Sequence, residues 1–320
     1  MSAHGTPFAG TTRTRPTATL TESITAPGRR PGRRPYDTDV TRLLPRWLLV
    51  LVIAVITAFI AAPVLYILFG SVNSDVAVAR GEYFPSEFTL ANYVAIWDTV
   101  ALGQGLVNSL LTAGAVAVAS ATLAVSTAYV LVRFRFLGRL TMLRGLLALQ
   151  SVPGTLLLLP VFVVFANIAS ATGVQVIGTR WGLFVTYLTF ALPFSTWVMV
   201  TYLRGLPKEL EEAARIDGAS SGRILRSVVL PLSWPGIVVS AIFAFLLGWN
   251  DVLFSTIMTT PNTRTVAVVL QVLGTAKEGG AVPIYGQMMA ASIVCAVPVV
   301  ALYLVFQRYL VGGLTAGSVK

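Results

Sequence analysis

The stretch WLLVLVIAVITAFIAAPVLYILFG, residues 47–70, is almost entirely apolar and contains no charged side chain. A helix needs about 20 apolar residues to cross the ~30 Å hydrocarbon core of a bilayer at 1.5 Å per residue. We therefore predict a membrane-spanning helix here. Five further apolar runs have comparable length and composition: residues 108–132, 145–170, 181–203, 236–258 and 285–306. Six spans predict an all-α membrane protein.

The overall composition agrees with this prediction. The chain has 320 residues, of which 55% are hydrophobic and only 11% are charged, whereas about a quarter of the residues of an average soluble domain are charged. This balance excludes an ordinary globular enzyme.

The positions of the charges predict the orientation of the spans. Of the 23 Lys and Arg residues, nineteen precede the first run, follow the last, or fall in the two loops that would lie on the same side as the termini. The opposite loops hold the remaining four. Cytoplasmic loops of membrane proteins carry such an excess, so both termini are predicted to be cytoplasmic. The net charge of +10 thus has a topological explanation, and a nucleic-acid partner is not needed.

The chain divides by composition into two parts. Residues 1–41 are rich in Thr, Pro, Gly and Arg, and such a segment buries too little apolar surface to offset its ordering entropy. We predict a disordered, basic cytoplasmic tail that contacts anionic lipid, followed by a six-span domain over residues 42–320. The paired arginines of GRRPGRRP resemble an export signal, but the apolar run that follows is too long and lacks a cleavage site.

Two loops on the predicted outer side are long. In residues 71–106, the sequence FTLANYVAIW has apolar residues at helical spacing, which predicts a short helix. The loop over residues 259–284 ends in the sequence GTAKEGGAVPIYG (residues 274–286), whose four glycines and one proline predict an irregular segment.

Several kinds of chemistry are excluded by the motifs. No G-x-x-x-x-G-K-[ST] phosphate loop is present, so this chain alone is not expected to hydrolyse ATP. His4 is the only histidine and Cys295 the only cysteine, and Cys295 falls in the sixth run, where it is predicted to be a small buried hydrophobe. The sequence GASSG matches a hydrolase nucleophile elbow around Ser220, but it has no histidine base nearby, and we interpret the match as chance.

The segment EEAARIDGASSGRILRSVVLPLSWPG, residues 211–236, is charged and lies between two apolar runs. It predicts two short helices. The first follows Pro207, is supported by the i,i+4 pair of Glu211 and Arg215, and ends at Gly218 in a left-handed cap. The second is capped by Ser220 or Ser221 and ends at Pro231. These patterns fit a solvated hairpin and a docking surface equally well.

The spacing of this segment resembles the signature loop of binding-protein-dependent ABC importer permeases. That signature is Glu-Ala-Ala, three residues, Gly, nine residues, an aliphatic residue, one residue, and Leu-Pro. It falls on Glu212, Ala213, Ala214, Gly218, Val228, Leu230 and Pro231. Val228 stands where isoleucine is more common. The resemblance covers most of residues 47–320, and GWNDVLFSTIMT (residues 248–259) and QRYLVGGLTAGSVK (residues 307–320) are similar to maltose-type carbohydrate permeases.

The resemblance implies a type I ABC importer permease fold in a bacterial plasma membrane. It implies a second, homologous permease subunit, two ATPase subunits that use ATP and Mg, and an extracellular or periplasmic solute-binding protein, with no cofactor bound by this chain. Residues 204–235, called the coupling loop below, are implied to contact an ATPase. The residues implied in coupling are Glu211, Glu212, Ala213, Ala214, Arg215, Asp217, Gly218, Ala219, Leu230 and Pro231.

Two further groups are candidate sites. Trp249, Asn250 and Asp251 place polar and aromatic groups within an apolar run, where they would line a sugar path or only hold helices together. Gly279 and Gly280 lie in the loop that the resemblance implies faces the solute-binding protein, unless that loop is a plain connector. A secondary transporter without an ATPase, a membrane scaffold, and an importer of a polyol or glycerol phosphate remain the alternatives.

Overall fold

The computed structural model describes residues 45–82, 84–85, 88–275, 277–278 and 282–315. The chain divides into two units, Met1–Thr57 and Ala58–Lys320, and the packing given below is that of the second unit. The helices are, in chain order, α1 (Arg46–Ser71), α2 (Asp75–Ala79), α3 (Ala91–Thr99), α4 (Leu102–Arg133), α5 (Arg139–Gln150), α6 (Gly154–Thr172), α7 (Arg180–Arg204), α8 (Glu209–Ile216), α9 (Ser221–Ile224), α10 (Leu230–Leu232), α11 (Trp234–Asn250), α12 (Leu253–Met258), α13 (Val266–Thr275) and α14 (Tyr285–Thr315).

The described residues also form a π-helix and a two-stranded β-hairpin. A π-helix, Leu225–Val229, joins α9 to α10. Strand β1 (Lys277–Glu278) pairs with β2 (Val282–Pro283) in an antiparallel hairpin, with Lys277 opposite Pro283 and Glu278 opposite Val282.

Five helices of the described residues are long and apolar enough to cross a membrane: α1, α4, α6, α7 and α14. A sixth span results if α9 to α10 and α11, which are bent by 76° at Ser233, are taken as one broken span. The prediction of an all-α membrane protein is confirmed.

The third apolar run is not a single helix. The prediction of one span over residues 145–170 is corrected by a break between Gln150, which ends α5, and Gly154, which begins α6. Pro153 takes an extended conformation there (φ −57°, ψ 124°) and has no N–H to continue the helix. The residue before a proline also avoids the helical region. The spanning helix is therefore α6, and α5 is a separate helix.

The fifth run is interrupted as well. It was predicted to span residues 236–258, but α11 ends at Asn250, and Asp251 is extended (φ −73°, ψ 126°) before α12 begins. The carboxylate of Asp251 accepts a hydrogen bond from the backbone N–H of Ser255 at 2.9 Å. A carboxylate that binds the free N–H groups of a following helix favours a break at that point.

The loops at the predicted outer side contain more helix than the sequence suggested. The predicted helix in FTLANYVAIW is α3. The segment 259–284 was predicted to be a loop, but it contains α13, in which Val266, Val269 and Leu273 are buried at helical spacing. Apolar residues three and four positions apart share one face of a helix, and this face packs in the same cluster as Ile96 and Leu102.

Helix α4 lies at the centre of the second unit and packs on α7, α11 and α13. Small residues permit the close approach. A Cβ on Gly248 of α11 would lie 3.0 Å from the ring of Tyr187 and 3.4 Å from the Cα of Ala113. Ser120 of α4 donates a hydrogen bond to Ser195 of α7 at 2.9 Å, and both are buried. Small side chains and interhelical hydrogen bonds are the contacts that hold helices together in a membrane.

Asp75 forms a second, polar centre. Its Oδ1 accepts hydrogen bonds from the backbone N–H groups of Gly286 (2.7 Å) and Gln287 (3.2 Å), and its Oδ2 accepts one from Nε2 of Gln287 (3.2 Å). The two backbone N–H groups belong to the first turn of α14, where N–H groups have no partner within the helix. Asp75 is buried, so this carboxylate caps α14 from a distant part of the chain.

Gly182 is required by a backbone contact. A Cβ at this position would overlap the carbonyl oxygen of Val176, which cannot rotate away. We expect Gly182→Ala to lower the free energy of unfolding by about 2 kcal/mol, as overpacking does. Gly114→Ala is the matched control, because an added Cβ there meets nothing within 4 Å. Thermal unfolding in detergent measures both, and equal stability of the two variants would contradict the contact.

Candidate functional site

Helix α8 of the coupling loop ends in a left-handed glycine cap. Gly218 has φ +81°, a conformation that glycine adopts at low cost. The N–H of Gly218 donates to the carbonyl of Arg215, and the N–H of Ala219 donates to that of Ala214, both at 3.0 Å. These two hydrogen bonds are those of the Schellman motif. The predicted cap at Gly218 is confirmed, and it separates α8 from α9.

The residues implied in coupling are divided between two sides of the loop. Those that are exposed are Glu212, Ala213, Arg215, Asp217, Gly218 and Pro231, while Ala214, Ala219 and Leu230 are half-buried and Glu211 is buried. The exposed side also presents Leu210, which is 47% exposed, and Ile216, which is 87% exposed. The free surface of α8 therefore combines charge with apolar side chains around Ala213.

Glu211 does not support α8 through Arg215, as the i,i+4 spacing suggested. Its Oε1 lies 2.6 Å from Nε of Arg133, and both side chains are 8% exposed. Arg133 is the last residue of α4 and also donates from Nη2 to the carbonyl of Leu206 at 3.4 Å. Sequence reasoning missed Arg133, which counted only as one of the topological charges. It is 78 residues away, and no local pattern pairs the two.

The second half of the coupling loop continues further than predicted. Pro231 was expected to end the helix, but the chain stays helical to Leu232. The preceding turn is a π-helix, and the N–H of Leu230 bonds to the carbonyl of Leu225, five residues back. A π-turn is wider than an α-turn, which leaves room for the proline ring that would otherwise clash with a carbonyl. The helix ends at Leu232, directly before the 76° bend.

The three candidates for the sugar path lie in different environments. Asn250 is exposed, and Asp251 is half-buried. Trp249 is 4% exposed and stacks on Phe245 with ring centroids 5.3 Å apart. The face of its indole that would stack on a sugar is therefore occupied in this conformation.

Asp251 borders an open cleft of about 550 Å³ between α6, α7 and α11. Its Oδ2 accepts a hydrogen bond from the hydroxyl of Tyr187 at 2.8 Å. The polar residues of the cleft are Gln150, Tyr187, Thr189 and Asp251, and the rest of the lining is apolar, including Phe190, Phe194 and Phe254. The sequence did not single out Tyr187, Gln150 or Thr189, because each is a single polar residue within or beside an apolar run.

Gly279 and Gly280, the candidates for contact with a solute-binding protein, lie outside the described residues. Within the part of the chain that the structure describes, no group of three or more His, Cys, Asp or Glu side chains could hold a metal ion.

Known proteins resemble this chain over most of its length. The family described as "Binding-protein-dependent transport system inner membrane component" matches residues 120–315. The trehalose transport system permease protein SugB of Mycobacterium tuberculosis is 32% identical over 265 residues, which are 83% of this chain and 94% of that protein. The trehalose/maltose transport system permease protein MalG of Thermococcus litoralis is 31% identical over 279 residues, 85% of this chain and 96% of that protein.

Solved structures share the fold. A bacterial ABC transporter involved in the import of the acidic polysaccharide alginate has a chain that matches with a TM-score of 0.72 and 19% identity, over 86% of this chain and 99% of that chain. This chain therefore has the fold of an ABC importer permease, as the resemblance implied. Such permeases are transport subunits, so the prediction that the chain is not an enzyme is confirmed by its relatives. The chain belongs to the family of binding-protein-dependent transport system inner membrane components, which are the permease subunits of ABC importers.

Proposed function

We propose that this chain is one of two permease subunits of an ATP-driven importer for a di- or oligosaccharide. The observation that carries the proposal is the free surface of α8. Its exposed charged and apolar side chains, around Glu212, Ala213 and Ile216, form a docking surface on a helix that is fixed to the spans by Glu211. An exposed apolar patch rimmed by charge is typical of a protein interface.

The partner at this surface is an ABC ATPase, which supplies the ATP and Mg chemistry that this chain lacks. Closure of two ATPase subunits displaces α8 and shifts the spans between an inward-open and an outward-open state. Such a shift requires contacts that differ between the states, and the coupling loop supplies them. The excess of Lys and Arg on this side of the spans supports a cytoplasmic coupling loop and cytoplasmic termini in the plasma membrane.

The substrate class is proposed from the relatives. The permeases SugB and MalG are transport proteins for trehalose and for trehalose and maltose by name. A solved structure of similar fold is in complex with an alginate pentasaccharide-bound periplasmic protein, which supports a solute-binding protein as the partner on the other side. We propose the loop with Gly279 and Gly280 as its contact. Crosslinking of single cysteines at these two glycines to the cognate binding protein tests that contact, and its absence along the whole loop would count against it.

Coexpression of the chain with its companion permease and the ATPases tests the assembly. We expect the chain to copurify with both, and binding measurements on the solute-binding protein against a panel of sugars, polyols and glycerol phosphate to identify the cargo. Copurification without the ATPase, together with uptake driven by an ion gradient, would favour a secondary transporter instead.

Asp251 is the clearest candidate for the sugar path, together with Trp249 and Asn250. Its hydrogen bonds to Tyr187 and Ser255 also support a structural role, and two variants separate the roles. Asp251→Asn keeps an oxygen acceptor for these donors, whereas Asp251→Ala removes it. We expect Asp251→Ala to destabilise the chain by about 2 kcal/mol, and we expect Asp251→Asn to keep the fold but to raise the KM for uptake. An unchanged KM in Asp251→Asn would leave only the structural role.

A further inference from the structure

The buried ion pair of Arg133 and Glu211 connects the coupling loop to α4. Leu206, whose carbonyl accepts a hydrogen bond from Arg133, packs against a buried apolar cluster that contains Tyr129, Leu203 and Ile224. Nη1 of Arg133 is buried and has no hydrogen-bond partner among the described residues. Isolated charges are unfavourable in such a place, because desolvation is repaid only by the partner. Separation of the two side chains is therefore unfavourable.

The exposed side of α8 and its buried side have different tasks. Glu212 and Ile216 are exposed and free to touch a partner, whereas Glu211 contacts α4. Ala214 and Ala219 are half-buried and pack against an apolar cluster whose members come from α4, α7, α9 and the π-helix. Apolar contacts have no preferred direction, so two apolar surfaces can shift past each other. A short, charge-assisted hydrogen bond has a defined geometry and resists such a shift.

Helix α4 is suited to carry a displacement. It has 32 residues and no internal proline, whereas α1, α6, α7 and α14 each contain one. Proline interrupts the backbone hydrogen bonds and kinks a helix. At 1.5 Å per residue, α4 is about 48 Å long, so one helix connects Arg133 to the opposite end of the bundle.

The opposite end of α4 is also attached by polar contacts. Nδ2 of Asn108 donates to the carbonyls of Asn262 (3.1 Å) and Arg264 (2.9 Å), and its Oδ1 accepts a hydrogen bond from Nε of Arg180 (2.7 Å). Ser109 accepts a hydrogen bond from the N–H of Val266 at 2.8 Å. The segment 262–266, on the predicted outer side, is therefore held by the same helix that holds α8 at the other end.

We propose that α4 transmits the ATPase-driven displacement of α8 to the segment 262–266, with Arg133 and Glu211 as the positioning residues that join α8 to α4. This inference rests on the proposed function. It specifies how the displacement crosses the membrane: through the ion pair at one end of α4, along the uninterrupted helix, and through the Asn108 contacts at its other end.

A cysteine at position 262 reports the movement at the far end. The side chain of Asn262 is exposed, and its contacts with α4 use the backbone carbonyl, so Asn262→Cys in a Cys295→Ala background preserves them. The complete transporter in proteoliposomes is labelled with a maleimide, without nucleotide and after trapping with ATP and vanadate. We expect trapping to change the labelling rate by about fivefold or more in this parent.

Glu211→Gln, added to the parent, tests the ion pair. We expect ATP hydrolysis to persist and the change in labelling on trapping to be lost. Glu209→Gln is the matched control, because Glu209 is an exposed carboxylate on the same helix, and it is expected to behave as the parent. A labelling change in Glu211→Gln equal to that of the parent would overturn the proposed route.

The exchange Arg133→Glu with Glu211→Arg decides the case in which Glu211→Gln does not assemble. Recovery of both assembly and the labelling change supports the route, and failure to recover either one overturns it. A parent that neither binds the ATPases nor responds to ATP would instead refute the proposed function itself, so the two failures are distinguishable.

Discussion

Replacement of Gly218 by proline is expected to lower uptake by more than about tenfold and to weaken copurification of the ATPase, while the chain still inserts into the membrane. The φ of Gly218 is +81°, and proline is fixed near −65°, so the cap that orients α8 relative to α9 cannot form. An added Cβ at this position would meet nothing within 4 Å. The effect therefore comes from the backbone conformation and from the lost hydrogen bond of the Gly218 N–H to Arg215, and not from a clash of the added Cβ.

Gly222→Ala is the control for this variant. Gly222 also has open space around it, but its φ is not in the left-handed region, and alanine is a better helix former than glycine. We expect uptake by Gly222→Ala to equal that of the wild type. Uptake at the wild-type level in Gly218→Pro would show that the shape of the coupling loop does not matter for transport.

Replacement of Asp75 by alanine is expected to lower the free energy of unfolding by about 3 kcal/mol or more. The variant leaves the N–H groups of Gly286 and Gln287, and Nε2 of Gln287, without their acceptor. It also removes a negative charge from the N-terminal end of the α14 dipole. Unfolding by denaturant in detergent measures the change.

Two variants set the scale for Asp75→Ala. Asp75→Asn keeps an acceptor for the backbone N–H groups and is expected to cost about 1 kcal/mol. Asp98→Ala removes an exposed carboxylate from α3 and is expected to change stability by less than about 0.5 kcal/mol. Equal stability of the three variants would contradict the role of Asp75 as a cap of α14.

The apolar runs predicted the spans because a bilayer imposes a simple length and composition on any helix that crosses it. The breaks within runs were not predicted. Pro153 lies in the break before α6 and Asp251 follows the end of α11, but Pro63, Pro160 and Pro298 lie inside continuous helices. Whether a proline breaks a helix in a bundle depends on which neighbours satisfy the freed backbone groups, and a single sequence does not contain that information.

The candidate site was predictable in its outline but not in its contacts. The spacing from Glu212 to Pro231 predicted the coupling loop, and the glycine cap followed from local chemistry. The partner of Glu211 did not, because an ion pair with Arg133 depends on how the ends of α4 and α8 meet in space. The stacking of Trp249 on Phe245 is likewise a result of helix packing, and residue type alone suggested an open aromatic surface.

Uptake into proteoliposomes tests the central claim, that this chain transports sugar through coupling to a partner ATPase. The vesicles contain the chain, its companion permease and the ATPases, and radiolabelled trehalose or maltose is added with the solute-binding protein. The account predicts uptake that requires ATP on the ATPase side and stops with vanadate. Uptake that continues without the ATPases, or in the presence of vanadate, would contradict it.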